Sequence, residues 1–188
     1  ATHLTGATLT NATLSTADLT GANLPSVNLT GSDLTGVDLS GNTLTSATFS
    51  PTTKLTSTTL AGATLTSADL TGVDLEKADL SGANLQLADL EDAILTGANL
   101  TDGSAATNLT GATLINAKLS KADLTGADLG ENAANSGTAT NLTGADLTGA
   151  NLTGADMDKA VLTGANLTGA DLTGATLTLS LIHISEPT

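Results

Sequence analysis

Leucine returns at every fifth position for most of the 188-residue chain, in blocks such as Ala68 to Gly72 (Ala-Asp-Leu-Thr-Gly) and Ala150 to Gly154 (Ala-Asn-Leu-Thr-Gly). A period of five matches neither the 3.6-residue helix nor the two-residue strand. It is also far shorter than the repeats of the common solenoids. Within a block, the Leu and the residue two before it share one face of an extended segment, because side chains alternate along a strand. The residue between them faces outward and is usually Asp, Asn or Thr, while Thr or Ser and then often Gly follow the Leu, where a turn is favoured. Each block therefore predicts one short side and one corner. Repeated with one handedness, such blocks wind into a coil with Leu and Ala inside.

Thirty-three positions serve as block centres: Leu4 through Leu44 and Phe49, Leu55 through Leu100, Leu109 through Leu129, and Leu142 through Leu177 with Met157 among them. Core-forming positions spread along the chain include Leu19, Leu39, Phe49, Leu60, Leu80, Leu100, Leu124, Leu147, Met157 and Leu172. The beat breaks three times. Phe49 to Leu55 holds one extra residue and Pro51, which reads as a bulge near 50–54 through which winding continues. Four extra residues near 101–107 and eight near 130–140 read as loops projecting from the coil. Loops on rigid scaffolds often carry function, although insertions of this kind are also tolerated without one.

Tandem A(D/N)LxG blocks resemble the pentapeptide-repeat family, over Thr2 to Thr178 with two interruptions. The resemblance implies an all-β fold, a right-handed quadrilateral parallel β-helix with four blocks per coil. Thirty-three centres would then make about eight coils in a rod of roughly 40 Å, at the ~4.8 Å spacing of neighbouring strands. Residues 1–178 are expected to form this single solenoid.

Leu179 to Thr188 leave the repeat. They are identical to the translation of CTG TCT CTT ATA CAC ATC TCC GAG CCC ACG, which resembles a transposase adapter used in sequencing libraries. The reading frame is expected to have run into adapter DNA, so His183, Glu186 and Pro187 are kept out of the functional reading; a C-terminal cap blunting the last strand edge is the alternative. Ala1 starts in mid-repeat, and an internal fragment of a longer protein is expected.

Composition narrows the core further. The chain has no Trp, Tyr, Cys or Arg, one Phe and one Met, so its interior must be as repetitive as its sequence rather than a mixed jigsaw of large side chains. Regularly placed aliphatics argue against disorder despite a net charge of −14. No apolar run approaches a membrane span, and the lack of Cys leaves the redox compartment open. With five Lys and no Arg, direct nucleic-acid binding is not expected, because phosphate contacts need cationic clusters. A protein partner is expected instead, a basic one being electrostatically the easier.

Candidate chemistry is sparse. His3 is the single histidine outside the suspect tail, so a Ser-His-Asp arrangement would have to be built at the start of the coil. Paired carboxylates belong to the repeat before they belong to acid-base chemistry, and the five-residue period differs from the nine-residue calcium-binding repeat. No catalytic residue, cofactor or metal site is expected. The position before each centre is Asp at twelve blocks and Asn or Thr at eight each. Four blocks per coil stack Asp18 near Asp38 and Asp69 near Asp89, while His3, Asn23, Thr43, Thr64 and Asn84 form an uncharged column. The candidate interaction surface comprises Asp18, Asp38, Asp69, Asp74, Asp79, Asp89, Asp102, Asp123, Asp128 and Glu131.

The expected function is a non-enzymatic structural or protein-interaction scaffold. The family's quinolone-resistance branch implies an alternative, an acidic DNA mimic that binds DNA gyrase. This chain departs from that branch in its nearly all-Leu centres and in showing no C-terminal dimerisation segment. A minor alternative is an ice-binding Thr surface: Thr43 and Thr45, or Thr64 and Thr66, flank a Leu on one outward face, but Pro25 and Gln86 interrupt the column.

Overall fold

The computed structural model describes residues 3–101, 105–132, 137–178 and 180. Parallel bridges join the outward residue of each block to its counterpart one coil later and sort the chain into four sides. Side 1 runs through His3, Asn23, Thr43, Thr64, Asn84, Asn108, Asp128, Asp156 and Thr176. Side 2 runs through Thr8, Asn28, Thr48, Asp69, Asp89, Thr113, Asn141 and Val161, and side 3 through Thr13, Asp33, Lys54, Asp74, Ile94, Lys118, Asp146 and Asn166. Side 4 holds Asp38, Thr59, Asp79, Asn99, Asp123, Asn151 and Asp171. The architecture is a parallel β-helical solenoid in which each block supplies one rung.

Two backbone bonds along each side, joined in most blocks by a third from the corner residue, make the wall. On side 4, the Asp79 N–H donates to the Thr58 carbonyl one coil back at 3.0 Å, and the Leu80 N–H donates to the Asn99 carbonyl one coil ahead at 2.7 Å. At the corner, the Ala83 N–H donates to the Leu80 carbonyl at 3.0 Å. The third residue of this turn is left-handed, as a type II turn requires. Gly82 takes that position with φ 64, and Leu87, a bulky residue rarely found there, does the same at φ 58. At Gly72 a side chain is excluded twice over, since φ is +66 and an added Cβ would lie 2.9 Å from Pro51 Cγ.

Leu and Ala fill the interior, and Leu39, Phe49, Leu60, Leu80, Leu100, Leu124, Leu147 and Met157 are all buried. Leu19 and Leu172, in the first and last described coils, are partly buried against the same core. One stacking neighbour covers half of what two would cover.

The three breaks fall on three different corners, and the register resumes after each. Asp33 to Lys54 is a 21-residue step in place of 20, Asn84 to Asn108 takes 24, and Thr113 to Asn141 takes 28. The extra residue near Pro51 sits between sides 2 and 3, where the turn closes from the Thr53 N–H to the Ser50 carbonyl at 2.8 Å. The 101–107 insertion lies between sides 4 and 1, and its residues 102–104 fall outside the described residues. The 130–140 insertion lies between sides 1 and 2. It differs from the plain loop expected from sequence: β1 (Glu131–Asn132) pairs antiparallel with β2 (Thr138–Ala139) as a short hairpin.

One expected stack is looser than the others. Asp38 is close enough to Asp18 for its charge to oppose Asp18 ionisation, yet the side 4 bridges begin only at Asp38. Beside this seam the buried Asn42 occupies an inward position filled elsewhere mostly by Ala, and its Nδ2 donates to the Leu19 carbonyl at 2.9 Å. The Asn42 Oδ1 finds no partner among the described residues.

At the C-terminal end the turn pattern continues one step beyond Thr178. The Ser180 N–H donates to the Leu177 carbonyl at 3.2 Å and its hydroxyl to the Met157 carbonyl at 2.6 Å. Leu179 and residues 181–188, including His183, Glu186 and Pro187, lie outside the described residues. No helix among the described residues is long and apolar enough to cross a membrane.

Candidate interaction surface

The outward residue before each Leu has a local task. In most blocks its side-chain Oδ1 accepts the N–H of the residue two positions on, closing an Asx turn over the corner. The Ser81 N–H donates to Asp79 at 3.0 Å, and the Thr101 N–H donates to Asn99 at 3.2 Å. In several blocks where Thr follows the Leu, its hydroxyl adds a bond to the same oxygen, as Thr125 does to Asp123 and Thr153 to Asn151. Asp and Asn close the corner equally well. Where an Asx residue stands, the corner uses its Oδ1 and not its charge, so the choice between Asp and Asn is free to serve something else.

Charge is unevenly shared among the sides. Asp38, Asp79, Asp123 and Asp171 lie on side 4, with Asp18 above them, and no lysine joins them among the described residues of that side. Hydrogen bonds from Thr20, Ser40 and Thr173 hold the Asp18, Asp38 and Asp171 carboxyls below the usual carboxylate range, so these groups stay ionised well into acid. Side 3 mixes signs instead. Lys54 and Lys118 share it with Asp33, Asp74 and Asp146, and Lys54 Nζ lies 3.1 Å from Asp33 Oδ2. Lys77 and Lys121 occupy the corner between sides 3 and 4, where Lys77 pairs with Glu76 at 2.8 Å.

The remaining expected residues do not share one surface. Asp69 and Asp89 stack directly on side 2, Asp74 is on side 3 and Asp128 is on side 1. Asp102 lies outside the described residues. Glu131 is in the hairpin and binds Lys159 at 2.5 Å. Thr43 stacks on Thr64 as expected. Along the adjoining corner, however, the Ser26 N–H reaches the Thr45 carbonyl and the Ser67 N–H reaches the Gln86 carbonyl, leaving Thr45 and Thr66 as two rungs between Pro25 and Gln86.

Asp128 behaves differently from the other aspartates. It is partly buried beside the hairpin, and desolvation, with a smaller contribution from the neighbouring Asp156 charge, pushes its carboxyl above the ordinary value, against a bond from the Gly130 N–H. A raised carboxyl pKa means that the folded state binds the proton more tightly, so ionised Asp128 costs stability at neutral pH and the cost fades as pH falls through that pKa. Asp128→Asn keeps the Oδ1 acceptor and removes the charge. Calorimetry at pH 7 is expected to show a higher melting temperature, by no more than the roughly 2–4 °C that about 1 kcal/mol produces in a domain of this size, and the difference should shrink as pH falls through the raised pKa.

The inward threonines escaped the sequence reading. At each break the first inward position is Thr, not Ala: Thr53, Thr107 and Thr140, all buried. Each hydroxyl accepts the N–H of a corner glycine in the preceding coil, Gly31 at 3.1 Å, Gly82 at 2.9 Å and Gly111 at 3.0 Å. Each also lies within donating distance of a Leu carbonyl of that coil: Leu29 at 3.1 Å, Leu80 at 3.2 Å and Leu109 at 2.8 Å. Elsewhere such a glycine N–H meets a backbone carbonyl in the next coil, as Gly62 does with Ser81 at 2.8 Å. For Gly31 and Gly111 the insertion moves that carbonyl away and the hydroxyl takes its place; Gly82 keeps a bond to the Thr101 carbonyl at 3.0 Å beside it. The signal in the sequence was the change from Ala to Thr two residues before Leu55, Leu109 and Leu142.

Among the described residues, no group of His, Asp and Glu side chains is arranged to hold a metal ion. What repeats is a rigid wall of ordered polar side chains.

The family model for pentapeptide repeats matches the chain in eight copies, over residues 2–41, 26–50, 53–86, 74–103, 105–130 and 140–178. Among solved structures, the chain is similar to HetL of the cyanobacterium Nostoc sp. strain PCC 7120, a pentapeptide repeat protein involved in heterocyst differentiation regulation. The two share 34% identity over 96% of this chain and 86% of HetL, with a TM-score of 0.41. A pentapeptide repeat protein from the Arabidopsis thaliana thylakoid lumen is 31% identical over 67% of this chain and 65% of its own, with a TM-score of 0.35. The plasmid-mediated fluoroquinolone resistance protein QnrB1 is 20% identical over 97% of this chain and 90% of its own, with a TM-score of 0.41. Comparison with curated proteins gives no match. Since the family model covers most of the chain block by block, the chain belongs to the pentapeptide-repeat family.

Proposed function

We propose that this chain is a non-enzymatic protein-interaction scaffold, a single right-handed four-sided β-helix of about eight coils over residues 1–178 that presents charge on chosen sides. One observation carries the reading. Asp and Asn close the corners interchangeably, yet the aspartates of side 4 stand without a lysine, whereas those of side 3 alternate with Lys54 and Lys118. Charge that the fold does not need, gathered on one side, is what a docking face requires. Shape alone would have been satisfied by Asn throughout.

The reading is tested against the topoisomerase alternative in a gyrase supercoiling assay with and without fluoroquinolone. A scaffold for other partners leaves supercoiling unchanged and gives no protection from the drug. Inhibition that disappears when Asp102 and the 130–140 segment are replaced would overturn it in favour of DNA mimicry.

A further inference from the structure

Side 4 is a sheet face with a ruler built into it. From Asp38 down the bridged column the order is Asp38, Thr59, Asp79, Asn99, Asp123, Asn151, Asp171, so over these seven rungs a carboxylate occupies every second one and a neutral side chain every rung between, while Asp18, one coil above Asp38, stands outside the alternation. No other side keeps that order: side 2 sets Asp69 directly on Asp89, side 1 sets Asp128 on Asp156, and side 3 interposes lysines. Rungs ~4.8 Å apart place the carboxylates about 9.6 Å apart. Each of the four is turned by the same local bond, its Oδ1 accepting the N–H of Ser40, Ser81, Thr125 or Thr173. Their Oδ2 atoms accept no hydrogen bond among the described residues. The order survives the insertion between Asn99 and Asn108, the hairpin and the bulge, because the register resumes after each.

We infer that side 4 docks an extended polyproline-II segment of a protein partner that carries Lys or Arg at every third residue. This rests on the interaction reading above and names its partner class. The polyproline-II helix has three residues per turn and a rise of ~3.1 Å, so cations three apart share one face and recur about every 9.3 Å. Four of them run along the rod axis in step with Asp38, Asp79, Asp123 and Asp171. A β-strand does not fit, because residues three apart on a strand point to opposite faces. A partner of this kind also loses little conformational entropy on binding, since the segment is stiff beforehand. Lys77 and Lys121 flank one edge of the face, which disfavours a cationic row there and leaves the aspartate column as its seat.

The test uses the full chain and three fluorescent peptides, each with four lysines in a proline background, spaced every two, three or four residues. Anisotropy titrations at low and at physiological ionic strength report the dissociation constants. The third-residue peptide is expected to bind at least about tenfold more tightly than either of the others, which carry the same charge out of step. Asp79→Asn combined with Asp123→Asn keeps both Asx turns and is expected to remove that advantage. Asp69→Asn combined with Asp89→Asn, an equal charge change on side 2, should leave it in place. Equal affinity for all three spacings, no binding by any peptide, or equal losses from the side 2 and side 4 variants would overturn the inference. The gyrase assay does not depend on spacing, so the scaffold reading and the partner class can fail separately.

Discussion

Leu80→Asp is expected to abolish the native fold or to destabilise it by more than about 4 kcal/mol, the range reached when an unpaired charge is forced into a core. Leu80 is 0% exposed, and its side chain stands in the interior between the Leu60 and Leu100 rungs of side 4. Neither water nor a cation is on hand for a carboxylate there. The damage spreads because a solenoid is stabilised by contacts between neighbouring coils: splitting the coil at Leu80 leaves two shorter stacks, each with a newly uncovered end. Leu80→Met, which conserves volume and polarity, should cost less than about 1.5 kcal/mol. Circular dichroism during thermal and urea unfolding distinguishes the two. A cooperative Leu80→Asp protein melting within a few degrees of the parent would show that this position does not face the core.

Thr140→Val should cost about 2–3 kcal/mol although the two side chains have nearly the same shape. The substitution removes the acceptor for the Gly111 N–H at 3.0 Å and the donor to the Leu109 and Gly130 carbonyls at 2.8 and 3.0 Å. Gly111 and Thr140 are both buried, so the glycine N–H is left without water as well as without a partner. An orphaned buried donor carries a penalty of roughly 1–3 kcal/mol beyond the net value of the lost bond. The comparison with Thr125→Val is informative, since Thr125 bonds at the surface to Asp123 alone and should cost no more than a few tenths of a kcal/mol. If urea melts give equal losses for both, the inward hydroxyl is not replacing a displaced backbone acceptor.

The five-residue beat made the sides, corners and inner lining legible, and it set the column from His3 through Asn84 as the bridges have it. What it left out has physical causes. An insertion does not announce in its length whether winding resumes on the same corner, so the 24- and 28-residue steps were not readable from spacing. A hairpin of two-residue strands such as β1 and β2 is too short to leave an alternating pattern. The Asx turns were hidden because Asp and Asn at an exposed position read equally well as solubility or as charge relief. Asn42 stands at an inward site where the period predicts a small apolar residue, and its Oδ1 has no partner among the described residues. The candidate surface was legible as acidic residues, but only the register shows that Asp38, Asp79 and Asp123 share a side, with Asp18 above them, while Asp69, Asp74, Asp89 and Asp128 do not.

The resumed register is the central claim, because both the side assignment and the aspartate ruler depend on it. Its most direct measurement is disulfide formation in a chain that has no native cysteine. Thr113 and Asn141 are bridged neighbours on side 2 across the 130–140 insertion. Adjacent rungs lie ~4.8 Å apart, within the Cα separation a disulfide accepts. Oxidised Thr113→Cys/Asn141→Cys protein is therefore expected to give a fast-migrating, reducible band on a non-reducing gel, while Thr113→Cys/Asp146→Cys, one side further around the coil, stays reduced. Cross-linking of the second pair in preference to the first would contradict the register and the surface built on it.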